Sequence, residues 1–197
     1  VAGRPMILYF NAAELAAHDP KTGKVLWSFP WKNDVNTNCA QPIVYAGEPT
    51  RIFLSSGYGA GAVLLEVTEP KPGDWKIRNL WTSRDMKNKF TTSVAYKDHL
   101  YGLDDGILAC ISLKDGRKAW KAGRYGHGQI LLAGGLLIVQ AEDGALALVE
   151  PDPAKLKEIV KIPALDGKTW NNPVLAGNLL LVRNDHEAIC FETPTKK

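Results

Sequence analysis

Four carboxylates are the residues whose chemistry would suit a bound cation: Asp104, Asp105, Glu142 and Asp143. Carboxylate oxygens are ligands that Ca²⁺ prefers, so calcium binding is the chemistry that this set could support. However, their spacing matches no calcium-binding loop, and the two pairs stand far apart in the sequence. Asp is also a residue that suits tight turns. We therefore expect no metal site at these residues.

Histidine and cysteine are the other candidates for catalysis or metal binding: His18, His99, His127, His186, Cys39, Cys110 and Cys190. Their spacing matches no zinc site. The sequence also has no nucleophile elbow and no phosphate-binding loop, because its glycine-rich stretch 57–61 precedes a predicted strand instead of a helix. An odd number of cysteines leaves at least one thiol free, and we expect Cys110 and Cys190 to be small buried residues. The sequence thus predicts no catalytic, cofactor-binding or metal-binding residue.

Composition and charge argue against two classes of partner. The 24 basic and 21 acidic residues are interspersed and give a formal charge of +3, without the basic face that nucleic-acid or membrane-surface binding usually leaves. The longest apolar runs, such as residues 131–139, are too short and too rich in glycine to span a bilayer. The chain starts at Val1 in no recognisable signal sequence. With 45% apolar residues, its 197 residues can bury one substantial core.

Short strands and turns must position all of these residues, and they recur along the chain. Residues 100–120 (LYGLDDGILACISLKDGRKAW) align without a gap on residues 7–27 (ILYFNAAELAAHDPKTGKVLW). In this alignment Leu108 falls on Leu15, Gly116 on Gly23 and Trp120 on Trp27. A repeat of about forty residues with four short antiparallel strands is typical of the blades of a β-propeller. A helical solenoid is disfavoured because no unit carries a 3.6-residue apolar period over about a dozen residues.

We therefore predict an all-β fold, a β-propeller of four-stranded antiparallel blades that forms one domain, residues 1–197. The predicted blade units are approximately 1–31, 40–83, 92–122, 128–164 and 170–193. The first unit lacks its opening strand and the fifth lacks its closing strand, which would leave the unpaired edges that natural β proteins normally cover. We therefore expect the chain to be part of a larger ring of about seven or eight blades, completed by further sequence or by a partner.

Three stretches resemble the repeat of the quinoprotein-like (PQQ-like repeat) β-propeller family: HDPKTGKVLW at 18–27, YGLDDGILAC at 101–110 and ISLKDGRKAW at 111–120. In that family a blade carries the pattern A-x-D-x-x-T-G-x-x-x-W, whose Trp docks between neighbouring blades. Residues 17–27 match every defined position, whereas the copy that ends at Trp120 has Asp115 in place of Thr. The stretch 170–192 is similar to a C-terminal blade, so the chain resembles the C-terminal half of a larger propeller.

The resemblance implies a structural role for the residues of this pattern. We expect Trp27 and Trp120 to be buried between blades, each after a tight turn in which Gly23 or Gly116 adopts a positive φ. The alternative, that these indoles stack on a ligand, is disfavoured by their position after a turn.

The resemblance also frames the function. Dehydrogenases of the family hold pyrroloquinoline quinone and Ca²⁺ at the centre of an eight-bladed ring, with an adjacent Cys-Cys pair and an Asp base. No adjacent cysteines occur in this sequence and no cofactor residue can be transferred to it, so we expect no cofactor. Other members are noncatalytic scaffolds, such as the propeller lipoprotein of the outer-membrane assembly machinery. The resemblance thus favours a noncatalytic interaction scaffold, periplasmic or secreted, that binds another protein or the remaining blades. Part of a quinoprotein alcohol dehydrogenase is the alternative.

Strand direction predicts one further candidate site. Successive strands are antiparallel, so the loops after the second and fourth strands of every blade emerge on one face of the ring. This face would carry a binding rim: Tyr58, Asp104, Asp105, Arg124, Tyr125, His127, Glu142, Asp143 and His186. A pocket with exposed aromatic side chains at this rim would favour a carbohydrate- or peptide-binding propeller. The alternative interpretation is that Asp, Asn and Gly merely suit hairpin turns.

Overall fold

A computed structural model describes residues 1–45, 47 and 49–194 of the chain, and in these residues all regular structure is β. The strands are β1 (Ile7–Phe10), β2 (Glu14–His18), β3 (Val25–Pro30), β4 (Ile43–Tyr45), β5 (Thr50–Ser56), β6 (Gly61–Thr68), β7 (Lys76–Ser83), β8 (Val94–Tyr96), β9 (His99–Asp104), β10 (Ile107–Ser112), β11 (Lys118–Arg124), β12 (Gln129–Ala133), β13 (Leu136–Gln140), β14 (Ala145–Glu150), β15 (Lys157–Pro163), β16 (Val174–Ala176), β17 (Leu179–Arg183) and β18 (Ala188–Glu192). The described residues include no helix with the length and apolar character needed to cross a membrane.

The strands form five antiparallel sheets that follow one another in chain order. The first sheet is β1–β2–β3, the second β4–β5–β6–β7, the third β8–β9–β10–β11, the fourth β12–β13–β14–β15 and the fifth β16–β17–β18. Strands that are consecutive in the sequence are neighbours in every sheet. The predicted all-β architecture of antiparallel blades, with three strands in the first and last, is confirmed. The division into a single domain stays a prediction.

An apolar cluster lies between each pair of consecutive sheets. The middle strands show why, since their side chains alternate between two covered faces. In β6, Val63 and Leu65 pack toward the first sheet, whereas Ala62 and Leu64 pack toward the third. Residues 61–65 of this strand are apolar without interruption because both faces are buried there. The sheets therefore stack side by side.

The outer faces of the two end sheets are exposed and partly apolar. Ile7 and Tyr9 are 54% and 60% exposed on the first sheet, and Val174 and Leu181 are 55% and 44% exposed on the fifth. Cys190 pairs with Leu181 across this fifth sheet and is exposed as well. The expectation of burial is therefore wrong for Cys190, because the side of β18 on which it lies is not covered by another sheet.

A β-bulge recurs between the last two strands of the first four sheets. The bulged residues are Leu26, Leu80, Ala119 and Ile159. The residues that follow them are Trp27, Trp81, Trp120 and Val160. The bulge register thus makes Trp81 the equivalent residue of the second sheet and Val160 that of the fourth. Because Ile159 is the extra residue, Val160 and not Glu158 takes this place in the fourth sheet.

Candidate functional site

The tryptophans that follow the bulges contact the next sheet. Trp27 is 5% exposed and lies in the apolar cluster between the first and second sheets. The indole Nε1 of Trp81 donates to the carbonyl of Leu113 at 3.0 Å, and that of Trp120 donates to the carbonyl of Asp152 at 2.7 Å. Both carbonyls lie in the turn after the third strand of the following sheet. The predicted role of Trp27 and Trp120 in docking neighbouring blades requires contacts of this kind. How much these contacts stabilise the fold stays a prediction.

The two turn glycines differ in what surrounds them. Gly23 and Gly116 both have a positive φ, 71° and 68°. A Cβ on Gly116 would lie 2.5 Å from Cε3 of Trp81, so this turn packs directly on the indole of the preceding sheet. A Cβ on Gly23 would meet no atom within 4 Å. Of these two turns, both need a positive φ, but only the Gly116 turn also leaves no space for a side chain.

Backbone hydrogen bonds join the loops that carry the predicted rim. Tyr125 N donates to Gly106 O at 2.9 Å, which ties the loop after β11 to the turn between β9 and β10. Glu142 N donates to Tyr125 O at 2.8 Å, and Thr169 N donates to Glu142 O at 2.9 Å. Loops of the third and fourth sheets thus form one continuous hydrogen-bonded edge, on which the rim side chains other than Tyr58 and His186 stand.

Asp104 is the most constrained side chain of the rim. Its side chain is 2% exposed, and Oδ1 lies 2.6 Å from Nζ of Lys87 while Oδ2 lies 2.7 Å from Nζ of Lys121. Oδ1 also accepts a hydrogen bond from Lys87 N at 2.9 Å. Both oxygens of this carboxylate are therefore occupied by ammonium groups, and its role is to fix the loop before β8 against β9 and β11.

Tyr58 and Asp105 lie beside this ion-pair group. Asp105 occupies a turn position with φ 49°, and its carboxylate lies 3.6 Å from Nζ of Lys87 and 3.9 Å from Nζ of Lys89. Nζ of Lys89 also stands 5.3 Å from the ring centroid of Tyr58. The structure thus brings Tyr58, Asp104 and Asp105 together through lysines that the sequence did not single out.

Tyr125 is buried, and its hydroxyl donates to the Glu158 carboxylate. Burial, and then the hydrogen bond to Glu158, raise the pKa of this phenol well above its usual range. Nζ of Lys161 lies 5.4 Å from the ring centroid. Tyr125 therefore contributes packing to the core between the third and fourth sheets and does not present its ring to a ligand.

His127 and Glu142 form the second group of the rim, together with two aromatic residues. Oε2 of Glu142 accepts the backbone N–H of His127 at 2.9 Å, and Oε1 accepts the indole N–H of Trp170 at 2.8 Å. The first of these bonds is the main reason that the pKa of the Glu142 carboxyl lies below its ordinary value. The ring of Phe90 lies 5.6 Å from that of His127 and 5.0 Å from that of Trp170. The aromatic cluster, as we call Phe90, His127 and Trp170, therefore joins loops of three sheets.

The remaining rim residues are more isolated. Asp143 Oδ1 accepts Ala145 N at 3.1 Å within its turn, and Oδ2 lies 3.8 Å from Nζ of Lys161. The exposed His186 lies 3.4 Å from the neighbouring Asp185. Arg124 is exposed at the end of β11. No group of three or more His, Cys, Asp or Glu side chains suited to a metal occurs within residues 1–45, 47 and 49–194.

Sequence reasoning did not identify four residues of this face: Lys87, Lys121, Phe90 and Trp170. The lysines carry no local signal, since their partner Asp104 is distant in sequence. The two aromatic residues, in contrast, do carry a sequence signal. Phe90 and Trp170 stand six residues before Tyr96 and Ala176, which close the first hairpins of the third and fifth sheets. Repeat alignment with this register would have found them.

The family described as outer membrane protein assembly factor BamB matches residues 1–122. A search of curated proteins finds no match. BamB from Moraxella catarrhalis has a similar structure, with a TM-score of 0.50 and 14% sequence identity, over 96% of this chain and 70% of that chain.

A chain from a Saccharomyces cerevisiae complex of dbp5 with nup159, gle1, ip6 and adp is also similar. Its TM-score is 0.56 at 8% identity, over 98% of this chain and 59% of that chain. At such identities the two structural likenesses concern the fold alone. Together with the family match they confirm the predicted PQQ-like β-propeller. The chain therefore belongs to the family of outer membrane protein assembly factor BamB.

Proposed function

We propose that this chain is a noncatalytic interaction scaffold that serves the assembly of outer membrane proteins, in the periplasm, by binding another protein. The observation that carries the proposal is the match of residues 1–122 to a family described as an outer membrane protein assembly factor. A scaffold of this kind needs a rigid surface with fixed side chains rather than a group that exchanges protons with a substrate.

The chemistry of the rim supports a noncatalytic role. A catalytic acid or base must reach the substrate with a free oxygen or nitrogen. Both oxygens of Asp104 are paired with lysines, and both oxygens of Glu142 accept hydrogen bonds from the protein. The hydroxyl of Tyr125 is engaged by Glu158. These groups are used to hold loops in place.

The alternative, part of a quinoprotein alcohol dehydrogenase, would require Ca²⁺ near rim carboxylates. Asp104 is the most buried of these carboxylates, yet two ammonium groups lie within 2.7 Å of its oxygens and would repel a divalent cation. The donor set around Asp104 therefore does not fit calcium. We retain the expectation that the protein works without pyrroloquinoline quinone and Ca²⁺.

Two measurements test the proposal. The tagged chain, expressed in the cells that encode it and cross-linked in place, should co-purify with the machinery that assembles outer membrane proteins, and its depletion should lower the amount of assembled outer membrane proteins. In parallel, the purified chain with added pyrroloquinoline quinone and Ca²⁺ should give no dye-linked alcohol oxidation. Oxidation above the rate of a heat-denatured control would support the dehydrogenase instead, and absence of any association would refute the scaffold.

A further inference from the structure

The aromatic cluster occupies equivalent positions in three successive sheets. Phe90, His127 and Trp170 each stand six residues before the residue that closes the first hairpin of their sheet, namely Tyr96, Ala133 and Ala176. All three therefore lie in the loops that lead into the first strands of the third, fourth and fifth sheets. Because the rings of Phe90 and Trp170 are 5.0 Å apart, these loops converge on one spot of the rim face.

The cluster is held rigidly by its own surroundings. Nε2 of Gln129 donates to the carbonyls of Phe90 and Trp170 at 2.9 and 3.0 Å, which ties the two outer loops to the fourth sheet. The indole N–H of Trp170 is fixed by Glu142, whose other oxygen holds the backbone of His127. A partner would therefore meet a preformed surface and would spend little entropy on ordering it.

Trp170 presents apolar ring surface while its own polar atoms are bonded within the protein. Trp170 is 44% exposed although its indole N–H and its carbonyl are both hydrogen-bonded within the chain. Sugar sites need outward polar groups that bond hydroxyls, and the hydrogen bonds described above engage the indole N–H, the Glu142 carboxylate and the Gln129 amide within the protein. An exposed, rigid Trp packed on another aromatic ring is instead typical of the residues that dominate protein–protein affinity.

The charge beside the cluster indicates the character of the partner. Nζ of Lys168 lies 4.8 Å from the ring centroid of Trp170. In the described part of the chain no carboxylate lies within 4.0 Å of this ammonium group to form an ion pair. The charge of Lys168 contributes to the lowered pKa of the nearby Glu142 carboxyl, but the two groups form no ion pair. A carboxylate from outside would therefore be able to pair with Lys168 directly beside the apolar ring surface.

We propose that the aromatic cluster is the docking site for an extended segment of a partner protein, which places one aliphatic or aromatic side chain on Trp170 and Phe90 and an acidic side chain next to Lys168. This inference rests on the proposed scaffold function and specifies where the partner binds.

A random peptide library displayed on phage is the probe. Selection on the purified chain should enrich peptides with an apolar residue close to Asp or Glu, and one such peptide, synthesised with a fluorescent label, gives a Kd by fluorescence polarisation. Trp170→Ala should raise this Kd at least about tenfold, the effect of losing a hot-spot side chain. Lys168→Glu should raise it by a similar factor and keeps both rings of the Phe90–Trp170 contact, so it tests the site even where Trp170→Ala unfolds. Tyr9→Ala, which removes an exposed ring from the first sheet, should change it less than twofold.

Several outcomes would overturn the inference. These are the absence of enriched peptides, selected peptides that bind Trp170→Ala and Lys168→Glu as tightly as the wild-type chain, and glycan-array binding that depends on Trp170 without any peptide enrichment. Co-purification with the assembly machinery that is unchanged by both substitutions would refute this docking site and leave the scaffold function standing. Peptide binding at Trp170 without that association would support the site and refute the proposed role in assembly.

Discussion

Replacement of Gly116 by Ala tests the contact between a turn and the indole of the preceding sheet, and Gly23→Ala is its matched control. The two glycines have φ values of 68° and 71° and occupy equivalent turns of the third and first sheets. They differ in one respect, since a Cβ on Gly116 would lie 2.5 Å from Cε3 of Trp81, whereas a Cβ on Gly23 would have no neighbour within 4 Å. The comparison therefore separates packing from backbone strain.

The expected losses in the free energy of unfolding combine backbone strain with packing. Both substitutions place an L-residue in the left-handed region, which costs about 1–2 kcal/mol. A more restricted unfolded chain offsets about 0.4–1 kcal/mol of that loss in both variants. Gly116→Ala must in addition displace the Trp81 ring, and overpacking of this kind costs about 1–3 kcal/mol. We expect Gly23→Ala to destabilise the chain by about 1 kcal/mol and Gly116→Ala by about 2–4 kcal/mol.

Urea unfolding followed by far-UV circular dichroism measures both free energies, with the slope against urea as the check that the unfolded states are comparable. In a chain that already carries Trp81→Leu, Gly116→Ala should lower the free energy of unfolding only about as much as Gly23→Ala does in the wild type, because the ring that clashes is gone. Equal destabilisation by Gly116→Ala and Gly23→Ala, within about 0.5 kcal/mol, would refute the reasoning and with it the packing of this turn on the indole.

Three further substitutions probe other contacts. Trp27→Ala should lower the free energy of unfolding by about 3–5 kcal/mol, because the side chain is 5% exposed between two sheets, and a loss below about 1 kcal/mol would contradict its docking role. Asp104→Asn should cost about 3–5 kcal/mol in the same urea assay, since it leaves two largely buried ammonium groups without their carboxylate, whereas the exposed Asp143→Asn should change little. The pKa of Glu142 is lowered in the folded state, so its stabilising contribution is complete above pH 4.5 and is lost as the pH falls below that value. The difference in unfolding free energy between wild type and Glu142→Gln should accordingly be larger at pH 7 than at pH 3, and a difference independent of pH would contradict this assignment.

The sequence was sufficient for features that depend on residues close together in the chain. Alternation of side chains along a strand and Gly at a left-handed turn position are local constraints, and they placed the turn at Gly116 and the strands on either side of it. For the same reason the alignment of residues 100–120 on 7–27 identified the repeat. The extra residue of each bulge was not predicted, because Leu80 and Ile159 look like ordinary apolar strand residues until the pairing is known.

The candidate site was predicted as a face and not as a set of contacts. Antiparallel strand order is enough to say which loops share an edge, and backbone hydrogen bonds do join Tyr125, Glu142 and Thr169 along that edge. Which side chains meet on it depends on the approach of one sheet to the next. The Tyr125 hydroxyl bonds to Glu158 inside the fold, whereas the ring of Trp170, a residue that was not predicted for the site, packs on that of Phe90.

The sequence by itself determined the repeat, the all-β class, the turn glycines and the family of this protein, because each is encoded in spacings of a few residues that recur along the chain. Only the tertiary structure decided that Asp104 is enclosed by Lys87 and Lys121 and that Phe90, His127 and Trp170 form one cluster. The physical reason is that the ion-paired groups come from different strands and a loop of the third sheet, and the aromatic cluster from the loops of three sheets. Their distances are therefore set by strand pairing and by how the sheets pack against one another. No single stretch of sequence contains that information.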